Sequence, residues 1–298
     1  MGARLPVQKA SAVGGTALVA PCLPEYNPPN SLEVLPLALQ LYLAPHLDDA
    51  VLSCGGLIHR QVEAGDQVLV LTVFAGDPEP GIRSSFVEFL VQVWQAPQDN
   101  PVPMRRAEDL AATALLGAAA LHWPYADCIF RHHPASGEPL YPTRESIYGE
   151  VHPAERTVLV GELARRLEAF CRERQPATVY SLLTAGHHVD HQIVQQASRH
   201  LESAGWAVRY YEDYPYVEDP SCLEAALKAA GGAWQAELEA LSPADLEARI
   251  AAVACYTSQL AGLFGGEEEM KQRLRAYAGS LAGDGPAERY WRPVGAGG

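Results

Sequence analysis

Leu39-Gln-Leu-Tyr-Leu-Ala44 runs directly into Pro45-His-Leu-Asp-Asp49, and the same sentence is written again later as Thr178-Val-Tyr-Ser-Leu-Leu183 followed by His187-His-Val-Asp-His191. Each apolar run is short, has no polar alternation, and reads as a strand buried on both faces. Each ends in a cluster of imidazoles and carboxylates. Ionisable residues at the carboxyl ends of two strands lie where open α/β sheets bind ligands. A third apolar run, Gln67-Val-Leu-Val-Leu-Thr-Val-Phe74, ends at Ala75-Gly-Asp-Pro78. Helical stretches fall between the runs, so the pattern predicts a Rossmann-like α/β fold with a mostly parallel central sheet.

Helices are expected over 49–64 with Gly65 as the stop, 105–116 with Gly117 as the stop, 157–174 before Pro176, and 190–203. Further strands are expected over 118–124 and 207–212. The tail from Pro220 is rich in Ala, Leu and Glu and predicts helices at about 221–230, 243–261 and 266–278. Residues 77–104 read as a long loop or a loop with a short helix. Residues 131–157, rich in Tyr, His, Pro and Gly, read as a long loop. Loops of that length in a compact domain usually serve a site, so Arg131, Tyr141, Arg144 and Tyr148 are expected in a pocket wall. The organisation expected is an irregular segment over 1–37, a core over 38–215, and a mainly helical part of the same domain over 216–298.

The chain has 298 residues and a net charge of −14, which argues against a nucleic-acid partner or an anionic membrane surface. No apolar run approaches the roughly 20 residues of a membrane span. The stretch Gly14–Ala20 before Pro21-Cys22 is short for a lipoprotein leader, and an irregular start is expected instead. Six scattered cysteines without a C-x-x-C pair read as small buried hydrophobes of a reducing, cytoplasmic compartment. Homo-oligomer formation is compatible with the sequence.

His46 and Asp49 are three residues apart across a strand-to-helix turn, so both can converge on one metal while Asp48 points elsewhere as a free base. His188 and His191 repeat that spacing. Asp at a helix start is also a common cap, and the first cluster alone would be read that way. Two such clusters, both at strand ends, favour a metal. Gly55-Gly56 lies inside a helix rather than in a G-x-G turn, which excludes a dinucleotide fingerprint. Ser53 and Cys54 lack a nucleophile-elbow context.

The segment PHLDDAVLSCGG (45–56) resembles the signature AHPDDE...GG of the LmbE-like, or PIG-L, zinc-dependent N-deacetylases. GHHVDH (186–191) resembles that family's second signature. Arg105, Glu108, Ala112, Leu116 and Gly117 match its R-x-x-E-x-x-x-A-x-x-x-L-G helix, and Thr72–Asp77 its T-x-G-E turn. The resemblance spans about 38–215. It implies that His46, Asp49 and His191 bind one Zn2+ per chain, with Fe2+ as an alternative occupant. It implies that Asp48 is the general base, that His188 stabilises the oxyanion, that Asp190 orients a histidine, and that Arg105 and Asp127 contact substrate. The activity implied is removal of an acetyl or other acyl group from an N-acylated amino sugar or sugar conjugate. An amidase of a thiol-sugar conjugate and a non-catalytic sugar-binding protein are the alternatives. The chain departs from the pattern at Pro45, Leu47 and Ala50, the last in place of the family's Glu; none of the three is a ligand.

Overall fold

The structure is a computed structural model, and it describes residues 38–79 and 83–294. The expectation of an irregular segment over 1–37 lies outside the described residues. Among these described residues, seven strands form one sheet: β1 (Leu39–Ala44), β2 (Gln67–Thr72), β3 (Ala119–His122), β4 (Thr178–Leu182), β5 (Val208–Tyr211), β6 (Trp234–Ala240) and β7 (Ala287–Pro293). Their order is β3-β2-β1-β4-β5-β7-β6. The first five are parallel, and β7 and β6 close one side antiparallel. The chain builds outward from β1 to β3, then returns to β4 on the other flank of β1. The order therefore reverses between β1 and β4, and the crevice beyond their carboxyl ends is the sheet's natural ligand site. Both His/Asp clusters begin there.

Among the described residues, ten α-helices accompany the strands: α1 (Asp49–Glu63), α2 (Ser85–Val93), α3 (Val102–Leu115), α4 (Arg144–Ile147), α5 (Pro153–Arg174), α6 (Val189–Ser203), α7 (Pro220–Ala230), α8 (Pro243–Val253), α9 (Thr257–Phe264) and α10 (Glu267–Leu281). β1 and β4 are buried almost throughout, as their unbroken apolar runs require. Tyr42 and Tyr180 stack across them with centroids 4.2 Å apart. No described helix is long and apolar enough to cross a membrane. Five cysteines are described and all are free; Cys54, Cys128 and Cys171 are buried.

Two departures from the expected elements stand in the C-terminal part. β6 and β7 fall outside the expected helices, in stretches for which no element was expected, and the single helix expected over 243–261 is two, α8 and α9, broken at Ala254–Tyr256. Glu108 explains the break. Its carboxylate accepts from the Ser258 amide at 2.8 Å and from the Thr257 and Ser258 hydroxyls, so it caps a new helix start from α3.

Gly55 and Gly56 serve close packing. A Cβ on Gly55 would lie 2.8 Å from Arg249 Cγ of α8, and one on Gly56 2.5 Å from Leu241 Cδ1. At this contact the buried Glu288 carboxylate accepts from the Gly56 and Leu57 amides at 2.9 and 3.0 Å and pairs with Arg249 at 3.3 Å. Arg249 Nε donates to Leu52 O at 3.0 Å. Glu288→Ala leaves a buried guanidinium and two amides without their acceptor. It is expected to cost about 3–5 kcal/mol of stability in denaturant titration, whereas loss of an exposed, solvent-screened ion pair such as Arg275–Glu247 should barely register.

Candidate active site

His46 leaves β1, Asp48 stands at the start of α1, and Asp49 is its first residue. Asp48 makes no capping hydrogen bond with its side chain. The carboxylate instead faces Arg105 of α3 at 3.3 Å. This removes the capping interpretation of the cluster: a residue at the right position for a cap spends its charge elsewhere. At the end of β4, His188 does cap α6, its Nδ1 accepting from the Asp190 amide at 3.3 Å. An imidazole that accepts at Nδ1 carries its proton at Nε2. Gly186 is required for packing, because a Cβ there would meet the Tyr216 ring at 2.5 Å.

Asp49 Oδ2 lies 3.3 Å from His46 Nδ1 and 3.4 Å from His191 Nε2. Ligands held about 2.0–2.2 Å from a tetrahedral zinc are separated by about 3.3–3.6 Å, so each of these imidazole nitrogens stands at ligand-to-ligand distance from the Asp49 oxygen. The other nitrogen of each histidine meets a carboxylate: His46 Nε2 with Asp190 Oδ2 at 3.0 Å, and His191 Nδ1 with Asp213 Oδ1 at 2.8 Å. Metal-bound histidines are oriented in this way. Among the described residues, three donor groupings have all their ligand atoms within 4.8 Å of one another: His46/His188/His191, Cys128/His188/Asp190 and His46/Asp127/Asp190. The latter two draw on Asp190, whose carboxylate already accepts from Arg131 at 2.6 Å and from the Cys128 amide at 2.9 Å. The first lacks the carboxylate that sits between two of its histidines.

The electrostatics also call for a cation. Asp48, Asp49, Asp127, Asp190 and Asp213 are buried around the cluster, against the guanidiniums of Arg105 and Arg131. Burial opposes the charged form of His191, yet Asp49 and Asp213 outweigh it and push its pKa up to about 9. His46 is likewise raised against its burial by Asp127, Asp190 and Asp49. Burial, and then the charges of His46 and His191, hold His188 well below the usual imidazole range, so it is neutral. Burial pushes Asp48 up to about 6 despite Arg105.

A cavity of about 360 Å³ opens over these groups, and His46, Asp48, Asp49, Arg105, Asp127, His188 and His191 all line it. Asp190 lies behind, fully buried. Of the four residues expected in a wall from 131–157, Arg144 and Tyr148 line the cavity, but Arg131 and Tyr141 do not. Arg131 is drawn inward by Glu155 at 2.6 Å and Asp190, and Tyr141 donates to Glu155 at 2.8 Å. Together they brace the carboxylate behind His46. Asp77 is outside the cavity and pairs with Arg106 at 3.0 Å. His187 is half-exposed and its Nδ1 meets Tyr148 O at 3.2 Å. The sequence segment Glu212-Asp213-Tyr214-Pro215-Tyr216 closes a strand where it can border the site, and the structure brings Asp213 to His191 and Tyr216 into the cavity lining.

A doubly wound sheet with a His/Asp donor set at its switch point and a buried carboxylate beside it defines a metal-dependent hydrolase scaffold. Residues 41–201 match the family model described as PIG-L: GlcNAc-PI de-N-acetylase, and the chain belongs to that family. It is 26% identical over 242 residues to a 2'-N-acetylparomamine deacetylase of Niallia circulans, covering 78% of this chain and 84% of that protein. Among solved structures it resembles the zinc-inhibited form of the teicoplanin deacetylase Orf2, with a TM-score of 0.75 and 30% identity over 85% of this chain and 97% of that one. It also resembles the A40926 pseudoaglycone deacetylase Dbv21, with a TM-score of 0.67 and 26% identity over 85% and 95% of the two chains.

Proposed function

We propose that this protein is a metal-dependent hydrolase that removes the acetyl group from an N-acetylated amino sugar or sugar conjugate. The observation that carries the reading is that Asp49 Oδ2 stands 3.3 Å from His46 Nδ1 and 3.4 Å from His191 Nε2, beside the Arg105-held Asp48. The deacetylase names of its relatives support the substrate class. His46, Asp49 and His191 would hold one cation per chain, and two imidazoles with one carboxylate suit zinc, with iron(II) as the alternative. A cation held there supplies Lewis acidity, polarising the acyl oxygen and acidifying water.

The chain's own residues supply the rest. Asp48 takes the proton of the attacking water; Arg105 holds its carboxylate toward the cavity. The acyl carbon becomes tetrahedral and its oxygen gains negative charge. His188 is neutral and has its N–H at Nε2, so it can donate a hydrogen bond to that oxygen without first taking up a proton. The amine is a poor leaving group until protonated, and Asp48 returns the proton it took. Arg105 and Asp127 line the cavity beside Asp48 and are the groups proposed to bind the substrate's polar atoms.

Incubation of the metal-loaded protein with a panel of N-acetylated amino sugars and their glycosides should release acetate, and chelation should abolish it. Acetate release from none of the panel would overturn the reading. A second expectation concerns Asp213, which orients His191. Asp213→Ala should weaken cation binding by about 10–100-fold in chelator competition, the usual loss for an outer partner of a metal-bound histidine.

A further inference from the structure

We propose that the substrate carries a large apolar group beside its amino sugar, and that helix α2 is the wall that receives it. This rests on the deacetylase reading of the cavity. α2 has three faces. Val87 and Val91 are buried in the core, and Glu88 and Gln92 are exposed and polar. The third face carries Phe86, Phe89, Leu90 and Val93, and Trp94 follows at the helix end. All five line the cavity. The spacing, 86, 89/90, 93/94, is one continuous helical stripe.

A surface helix needs one apolar stripe to hold it to the core, and Val87 and Val91 provide that. In the second stripe Phe86, Leu90 and Trp94 also pack partly against the core, but all five residues present apolar surface to the cavity, and Phe89 is 58% exposed. Apolar side chains lining a cavity beside a few polar groups mark a ligand surface. α9 supports it from the far side, where a Cβ on Gly262 would stand 3.6 Å from Val93 Cγ1 and Leu263 joins the lining.

The wall is continuous with the reacting centre. The Arg105 guanidinium that meets Asp48 at 3.3 Å lies 4.8 Å over the Trp94 ring. A group attached to the sugar or to its acyl carbon thus passes from polar to apolar surroundings within one side chain. A bare amino sugar offers hydroxyls to the first region and nothing to the second. An apolar aglycone and a long acyl chain share the chemistry the stripe requires.

The test compares three substrates on the metal-loaded protein: N-acetylglucosamine, its biphenyl-4-yl β-glycoside, and N-octanoylglucosamine. Burying one ring or chain in the wall should raise kcat/KM by about 10–100-fold over the free sugar, mainly through KM. A gain in the glycoside arm assigns the wall to the aglycone, and a gain in the octanoyl arm to the acyl chain. Phe89→Asp, at an exposed position that does not threaten folding, should bring the ratio of apolar to free-sugar kcat/KM close to one. Three substrates within about threefold of each other, or a preference that survives Phe89→Asp, would overturn the proposal. Calorimetric titration of the cation-stripped protein with the same three compounds reads the wall without turnover. Selective binding of an apolar compound without hydrolysis would keep the wall and remove the deacetylase reading; equally weak binding of all three would remove the wall.

Discussion

His191→Ala is expected to purify folded, without its cation and without activity. His191 is 2% exposed and stands on the first turn of α6, where its imidazole supplies one of three proposed donors and consumes the Asp213 carboxylate. The sheet does not depend on it: the core around Leu41, Leu43, Val179 and Leu182 is aliphatic and continuous. The methyl group of alanine leaves Asp49 and His46 as a two-donor site and leaves Asp213 with one fewer partner. Loss of a direct ligand should exceed the roughly 10–100-fold affinity loss typical of an outer partner. Elemental analysis should therefore fall from about one cation per chain to a small fraction, while far-ultraviolet circular dichroism stays unchanged. Full metal retention in a folded His191→Ala protein would remove His191 from the ligand set. The same experiment on Asp213→Ala should give the graded result, a protein that loads at high metal concentration and loses its cation to a chelator sooner than the wild type.

β1, β2 and β4 were legible because parallel strands buried on both faces leave unbroken apolar runs. β6 was not. Trp234-Gln-Ala-Glu-Leu-Glu-Ala240 is an edge strand, open on one side, and its alternating Glu and Ala are as common in helices as in strands. The division between α8 and α9 has no glycine or proline to announce it; the cap comes from Glu108, distant in sequence. The cluster proposed as the site was legible for the opposite reason. His46, Asp48 and Asp49, then His188, Asp190 and His191, each lie within one turn of a helix start, that of α1 or α6, so local spacing carries their grouping. What orients them comes from afar: Asp213 from the end of β5, and Arg131 across 59 residues to Asp190. No local pattern assigns Arg131 to the rear of the site rather than to its wall. The α2 stripe was hidden because two apolar faces on nine residues look like one uniformly apolar segment.

Asp48→Asn should bind its cation as the wild type does and lose about 10²–10⁴-fold in turnover, the usual contribution of a general base. The two adjacent aspartates make this a demanding discrimination. Asp49 Oδ2 touches both His46 and His191, whereas the Asp48 side chain is turned to Arg105 across the cavity. An amide at position 48 keeps the shape and an oxygen for Arg105 to meet, and Arg105 retains Asp127 at 3.9 Å as a second carboxylate. Folding and metal content should thus be spared. What the amide lacks is a lone pair basic enough to accept the proton of the attacking water, or a proton to return to the amine. KM for the N-acetyl substrate should change little, because Asp48 is proposed to act on the water rather than on the sugar. Parallel elemental analysis and steady-state kinetics on Asp48→Asn and Asp49→Asn separate the roles. If Asp48→Asn lost the cation while Asp49→Asn kept it, the assignments of the two aspartates would have to be exchanged. If Asp48→Asn kept both the cation and full turnover, the proton acceptor would have to be sought elsewhere along the cavity, with Asp127 the nearest remaining carboxylate to Arg105.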